Sequence, residues 1–213
     1  MRKVLIGTPS YDGRVDVWYA NSLVNTIRMT PQDMVIAPVY MAYDSLVQRA
    51  RNDLVRLAIE EDFDDLIFID SDQEWDPAWV FKLLEYDVDV VAATVVKKAD
   101  QIAFNVKAKP DGLKLNENGL MEVDCVGTGF MRISRKALQK VWDESTEYTN
   151  EGRICRMVFD VQVIDGELVS EDNVFCRKWG GPVFIDPNMT CNHIGVKKYS
   201  GNFLEFVKSM PAI

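Results

Sequence analysis

The stretch Asp65-Leu66-Ile67-Phe68-Ile69-Asp70-Ser71-Asp72 decides the fold. Its four central residues are all apolar and follow neither a helical nor an alternating period. They read as a strand covered on both faces, the kind that lies inside a parallel sheet. Residues 3–8 form a second such run, ended by Pro9, and predict a buried first strand leading into a loop at 9–14. Residues 15–29 suit a helix, and 34–40 suit a second strand interrupted at Pro38. Asp44 offers an N-cap for a helix to about Glu61. On it Leu46, Ala50, Leu54 and Leu57 keep the spacing of a buried stripe, while Ser45, Arg49, Asn52 and Arg56 share a polar face. Asp76-Pro77 opens the next helix with a cap and an N1 proline, and 88–96 is a third apolar strand.

Strands alternating with helices imply an α/β fold, with a mostly parallel sheet covered by helices on both faces. After residue 100 the rhythm changes. Residues 102–106 and 113–123, separated by Pro110-Asp111-Gly112, predict a hairpin; 130–134 is a strand followed by a helix to about Trp142, and polar residues 143–152 predict a surface loop. Residues 1–213 form one expected domain, with a parallel first half (1–100) and a more antiparallel second half (101–213).

The chain of 213 residues carries 24 Lys+Arg against 33 Asp+Glu, a net charge of -9, which argues against a broad basic face for sliding along nucleic acid. Cys125, Cys155, Cys176 and Cys191 contain no C-x-x-C pair, so neither a zinc knuckle nor a thioredoxin-like motif is expected. Met1-Arg2-Lys3 followed by Val4-Leu5-Ile6 reads as a first strand and not as a leader, and no apolar run approaches the ~20 residues that span a bilayer. A cytoplasmic setting with reduced thiols is the expectation.

Ligands of open α/β sheets collect at the carboxyl ends of the strands, where Asp70-Ser71-Asp72 stands. If the chain stays extended, Asp70 and Asp72 face one side, and two hard oxygen donors suit Mg²⁺ or Mn²⁺ bridged to phosphates. Read alone, the triplet fits equally a strand end closed by turn-forming residues. Ser170-Glu171-Asp172-Asn173 precedes a helical stretch at 174–179, and the single histidine, His193, follows a strand at 183–185.

Asp70-Ser71-Asp72, Gly127-Thr128-Gly129, Ser170-Glu171-Asp172 and His193, in this order, resemble the GT-A class of nucleotide-sugar-dependent glycosyltransferases. The likeness extends from Ile6-Gly7-Thr8-Pro9 to His193, and Arg49-Ala50-Arg51-Asn52 through Asp76-Pro77 resembles compact bacterial and viral members. The resemblance implies a nucleotide-sugar-binding first half and an acceptor-side second half. It implies that Asp72 and His193 ligate Mn²⁺ or Mg²⁺, with Asp70 on the ribose or on the metal through water. It makes Asp172 the general base of an inverting transfer, the outcome preferred to retention, which needs no base there, with Glu171 as alternative base or acceptor-positioning group. It places Thr8, Pro9, Tyr11, Arg49, Asn52 and Ser71 toward the donor, and Gly127, Thr128 and Gly129 toward the acceptor. Trp179, beside Gly180-Gly181, is either an acceptor-side aromatic platform for a sugar or a buried tryptophan. Tyr11 either stacks on a base or plugs its loop; Lys97 and Lys98 either meet phosphate or solvate an edge. The partners implied are a nucleotide-sugar donor and a hydroxyl acceptor: a glycan, a small molecule, a protein or a modified DNA base. The implied setting is a bacterial cytoplasm or a phage-infected cell. A nucleotidyltransferase and a nucleotide- or sugar-binding module without catalysis are the competing expectations.

Overall fold

A computed structural model describes residues 1–195 and 197–210. In chain order the elements are β1 (Arg2–Ser10), α1 (Val17–Arg28), β2 (Met34–Ala42), α2 (Val47–Glu60), β3 (Asp65–Ile69), β4 (Gln73–Glu74), α3 (Ala78–Glu85), β5 (Val90–Val95), β6 (Val106–Lys107), β7 (Met121–Val123), β8 (Cys125–Val126), β9 (Phe130–Ser134), α4 (Arg135–Glu144), β10 (Glu147–Asn150), β11 (Arg153–Arg156), β12 (Gln162–Ile164), β13 (Glu167–Val169), α5 (Glu171–Trp179), β14 (Val183–His193) and α6 (Phe203–Ser209). The central sheet runs β2-β1-β3-β9-β5-β14-β4, with β7 also on β14. β1 is parallel to β2 and β3, and β14 is parallel to β5. Inserted between β3 and β5, β9 is antiparallel to both. The fold is therefore α/β, with a mostly parallel sheet and antiparallel additions from β9 and β7 of the second half and from the short β4.

All five residues of β3 are buried, as a strand with neighbours on both sides and helices on both faces requires. Alternate side chains of β1 and β3 enter opposite layers. Leu5, Leu66 and Phe68 join Leu54 of α2, Leu138 of α4 and Phe175 of α5. Val4, Ile6, Ile67 and Ile69 join Tyr19 of α1 and Val80 of α3. The four cysteines are free and buried, and no helix among the described residues is long and apolar enough to cross a membrane.

Several expected details differ. β1 continues through Pro9 to Ser10 instead of turning at 9, because Thr8, Pro9 and Ser10 pair with β2 beyond the reach of β3. Pro38 does not interrupt β2, which is an edge strand and tolerates the missing donor. α2 starts at Val47, and Asp44 instead accepts from the Leu46 N–H at 2.8 Å in the preceding turn. Leu46 is exposed, while Arg51, Asn52, Val55, Arg56 and Ala58 join Ala50 and Leu54 in a wider buried face.

The hairpin expected between 102–106 and 113–123 is absent. The turn at 110–112 forms, with the Gly112 N–H donating to the Lys109 carbonyl at 2.9 Å. Pairing is set elsewhere: β6 joins β8, and burial of Met121 and Val123 brings β7 onto β14. Residues 147–156 form the β10–β11 hairpin rather than a loop. Glu151 and Gly152 at its tip both have positive φ, as a two-residue turn matched to strand twist demands.

Candidate active site

The carboxyl ends of β1, β3 and β5 open into a cleft whose floor is the Asp70-Ser71-Asp72 segment. This segment is not extended. The Gln73 N–H donates to the Asp70 carbonyl at 3.1 Å, closing a turn, and Asp70 and Asp72 diverge. Immediately beyond, β4 pairs antiparallel with the end of β14, with Gln73 opposite His193. The Ile194 N–H also donates to the Asp72 carbonyl at 2.8 Å. That short ladder brings residues 121 positions apart into contact.

His193 Nδ1 lies 2.9 Å from the Val96 carbonyl, which only accepts, so Nδ1 carries the proton. The other ring nitrogen, Nε2, lies 3.2 Å from Asp72 Oδ2. The Lys98 ammonium pairs with the same Oδ2. A carboxylate oxygen and an imidazole nitrogen, the second fixed through its other ring nitrogen, are a chemically suitable pair of ligands for Mn²⁺ or Mg²⁺. Among the described residues no cluster of three or more His, Cys, Asp or Glu could hold a metal.

Asp70 turns the other way. Its Oδ1 accepts from Arg51 Nη2 at 3.0 Å, and Arg51 Nε lies 3.6 Å from Glu171 Oε1. Arg51 is 4% exposed and lies over the Phe68 ring, 5.3 Å from its centroid. Arg51, Asp70 and His193 divide the cleft into two lobes. One, about 240 Å³, takes Pro9, Ser10, Tyr11, Ser71 and Asp72. The other, about 350 Å³, takes Lys98, Asn105, Gly127, Thr128, Gly129, Glu171 and Asp172. A side chain at Gly129 would press on Asp70, since a Cβ there would lie 3.3 Å from Oδ2.

Asp172 stands in the first turn of α5 and is buried. Its Oδ1 accepts from the Ser170 hydroxyl and from the Asn173 N–H at 2.8 Å, and its Oδ2 accepts from Asn105 Nδ2 at 2.9 Å. Ser170 is the N-cap residue, but its hydroxyl serves Asp172.

The cleft gathers most of the residues expected from the sequence, but four lie elsewhere. Thr8 is fully buried, with its hydroxyl bonded to that of Tyr19. Arg49 points outward and forks onto Asp44 with two contacts of 2.8 Å. Asn52 is buried and brackets the backbone of Phe159, donating to its carbonyl at 2.9 Å and accepting from its N–H at 2.7 Å. Trp179 is buried and donates through Nε1 to the Pro182 carbonyl at 3.1 Å, so its face is no platform in the cleft. Arg51 and Asn105 were not expected. Arg51 had a signal: Val55 and Ala58, at i+4 and i+7, put it on a buried helix face. Asn105 had none, because its place depends on β6 pairing with β8.

The burial of Asp72 raises its carboxyl, but His193 and Lys98 outweigh this and hold it at about 2, below the ordinary 3.8. A depressed carboxyl contributes stability that is complete above pH 3.8 and is lost as pH falls toward 2. Asp72 therefore stays ionised from pH 7 to 4.

No family model matches the chain, and no curated protein does. Among solved structures it is similar to A197 from STIV, with 20% identity, 92% of this chain and 86% of that chain covered, and a TM-score of 0.62. It is also similar to S. aureus TarS 1-349 in complex with UDP-GlcNAc, with 13% identity, 100% of this chain covered and a TM-score of 0.50. The chain spans 62% of that structure. Both likenesses are of fold: the chain is an α/β domain of GT-A type, with a mostly parallel, helix-covered sheet.

Proposed function

We propose that this protein is a metal-dependent glycosyltransferase that moves a sugar from a nucleotide-sugar donor to a hydroxyl acceptor. The observation that carries this reading is the Asp72–His193 pair, held 3.2 Å apart by the β4–β14 ladder at the mouth of the sheet. Asp72 and His193 would hold Mn²⁺, or Mg²⁺, against the donor diphosphate; the cation would supply charge stabilisation as the diphosphate departs. The lobe with Pro9, Tyr11 and Ser71 suits the nucleoside, and the lobe with Glu171 and Asp172 suits the acceptor. Asp172 takes the acceptor's hydroxyl proton while the acceptor oxygen bonds to the anomeric carbon. The bond from that carbon to the β-phosphate oxygen breaks, and its electron pair leaves with the nucleoside diphosphate. Attack from the face opposite the diphosphate inverts the anomeric centre.

Two features favour this over nucleotidyl transfer. Gly7 lies inside β1, so no glycine-rich phosphate loop follows that strand. Asp172 also lines the lobe that His193 borders, where a second substrate needs a base.

The test is a panel of nucleotide sugars with and without Mn²⁺, read by release of nucleoside diphosphate. Uridine diphosphate sugars come first, since TarS binds UDP-GlcNAc in its crystal structure. Metal-dependent release from at least one donor is expected. Asp72→Ala and His193→Ala should each weaken Mn²⁺-dependent nucleotide binding by about 10–100-fold. Absence of metal-dependent binding for every donor would overturn the reading.

A further inference from the structure

We propose that Asn105 aims the Asp172 carboxylate at the acceptor, and that position 127 is glycine to leave room for it. The inference rests on the glycosyltransferase reading and assigns a positioning residue that lies outside the motifs of the resemblance.

Asn105 is held from both sides. Phe104 packs on Phe203 and Phe206, with ring centroids 5.0 and 5.2 Å away, and Val106 pairs with Val126 in the β6–β8 ladder. The Asn105 carbonyl accepts from the Gly127 N–H at 2.9 Å. The side chain then crosses Gly127: a Cβ there would lie 2.3 Å from Asn105 Nδ2, closer than any real contact. From that position Nδ2 reaches Asp172 Oδ2 at 2.9 Å.

The consequence follows from counting lone pairs. Asp172 Oδ1 already accepts two hydrogen bonds, from the Ser170 hydroxyl and the Asn173 N–H. Oδ2 accepts one, from Asn105, and keeps one site free. The free lone pair on Oδ2 is therefore the base, and the Asn105 hydrogen bond fixes the carboxylate plane that directs it. An amide suits this task because it donates without bringing a charge. A lysine in its place would hold the carboxylate as an ion pair and blunt its basicity, and an aspartate would repel it.

The test compares Asn105→Ala, Gly127→Ala and the double variant in the transfer assay, alongside donor KM and melting temperature. Asn105 is exposed, so its truncation removes no core packing. The expected result is a fall in kcat of about tenfold, the worth of a ~1.4 kcal/mol hydrogen bond, with donor KM and melting temperature unchanged. Gly127→Ala should reproduce the loss by displacing the Asn105 amide, and the double variant should be no worse than the poorer single one. Asn105→Asp should lose more than Asn105→Ala, because it adds repulsion to the lost donor. Unchanged kcat in Asn105→Ala, with active wild type, would overturn this inference and spare the glycosyltransferase reading. Losses that multiply in the double variant, or a melting temperature that falls with kcat, would also overturn it. A wild type that turns over no nucleotide sugar would overturn both.

Discussion

Replacing Asp172 with asparagine is expected to leave nucleotide-sugar binding intact and to slow transfer by about 10²–10⁴-fold, the usual contribution of a positioned general base. The substitution is nearly isosteric, so α5 should keep its place. The Asn173 N–H can still donate to the retained carbonyl oxygen, as it does to Asp172 Oδ1. The new amide nitrogen would oppose Asn105 Nδ2, and rotation of the Asn105 amide can turn its oxygen toward it. What disappears is the carboxylate lone pair. Asp172 lies in the lobe opposite Pro9 and Tyr11, so a donor bound there should not sense the change. Isothermal titration for donor affinity and initial rates for transfer separate the two effects. Loss of donor binding would mean that Asp172 holds the donor and is not the base. Glu171→Gln provides the contrast. Glu171 faces Arg51 at 3.6 Å, and a modest loss is expected; a larger loss than in Asp172→Asn would transfer the base to Glu171.

The sequence made the strand–helix order and the location of the cleft legible, because these depend on local patterns. A four-residue apolar run such as residues 66–69 of β3 fits an interior strand, and the segment after it opens at the carboxyl end of the sheet. Asp72, Asp172 and His193 were legible as residues of one cleft through the order in which they occur. Their neighbours were not, and the reasons differ. Asp70 and Asp72 were expected to face one way on extended chain, but a turn at Asp70 sends one to Arg51 and the other to His193. Arg49 was preferred to Arg51 because the helix was given a single narrow stripe; α2 lies between β1 and the β10–β11 hairpin, and its buried face is wide enough to take in polar residues. Asn52 and Arg56, placed on a polar face by that same stripe, are buried. Asn105 depends on a strand pairing 20 residues away in sequence (Val106 with Val126), which no local signal specifies.

Arg51→Met should have the largest effect on the fold and on binding together: a stability loss of about 3 kcal/mol and no detectable nucleotide binding. Breaking a buried ion pair by removing one partner typically costs about 3–5 kcal/mol, because the other charge stays behind. Here the charges left behind are Asp70, whose side chain is 33% exposed, and Glu171, at 15%. Water screens the first, which puts the cost at the lower end. Methionine keeps much of the volume and can pack on Phe68, so a cavity adds little. Binding should fail for a separate reason. Arg51 lines both lobes, and its buried Nε and Nη1 have no hydrogen-bond partner among the described residues. Unspent donors on a buried guanidinium suit the oxygens of a diphosphate, which would complete their hydrogen bonding. Combining Arg51→Met with Glu171→Gln separates the two roles. Removing the stranded Glu171 charge should restore part of the stability measured by denaturant unfolding. It should restore none of the nucleotide binding measured by titration, because no donor returns to the cleft. If the double variant regained both, Arg51 would serve only to hold Asp70 and Glu171 in place. If it regained neither, the stability of Arg51 would come from its packing on Phe68 and not from its charge.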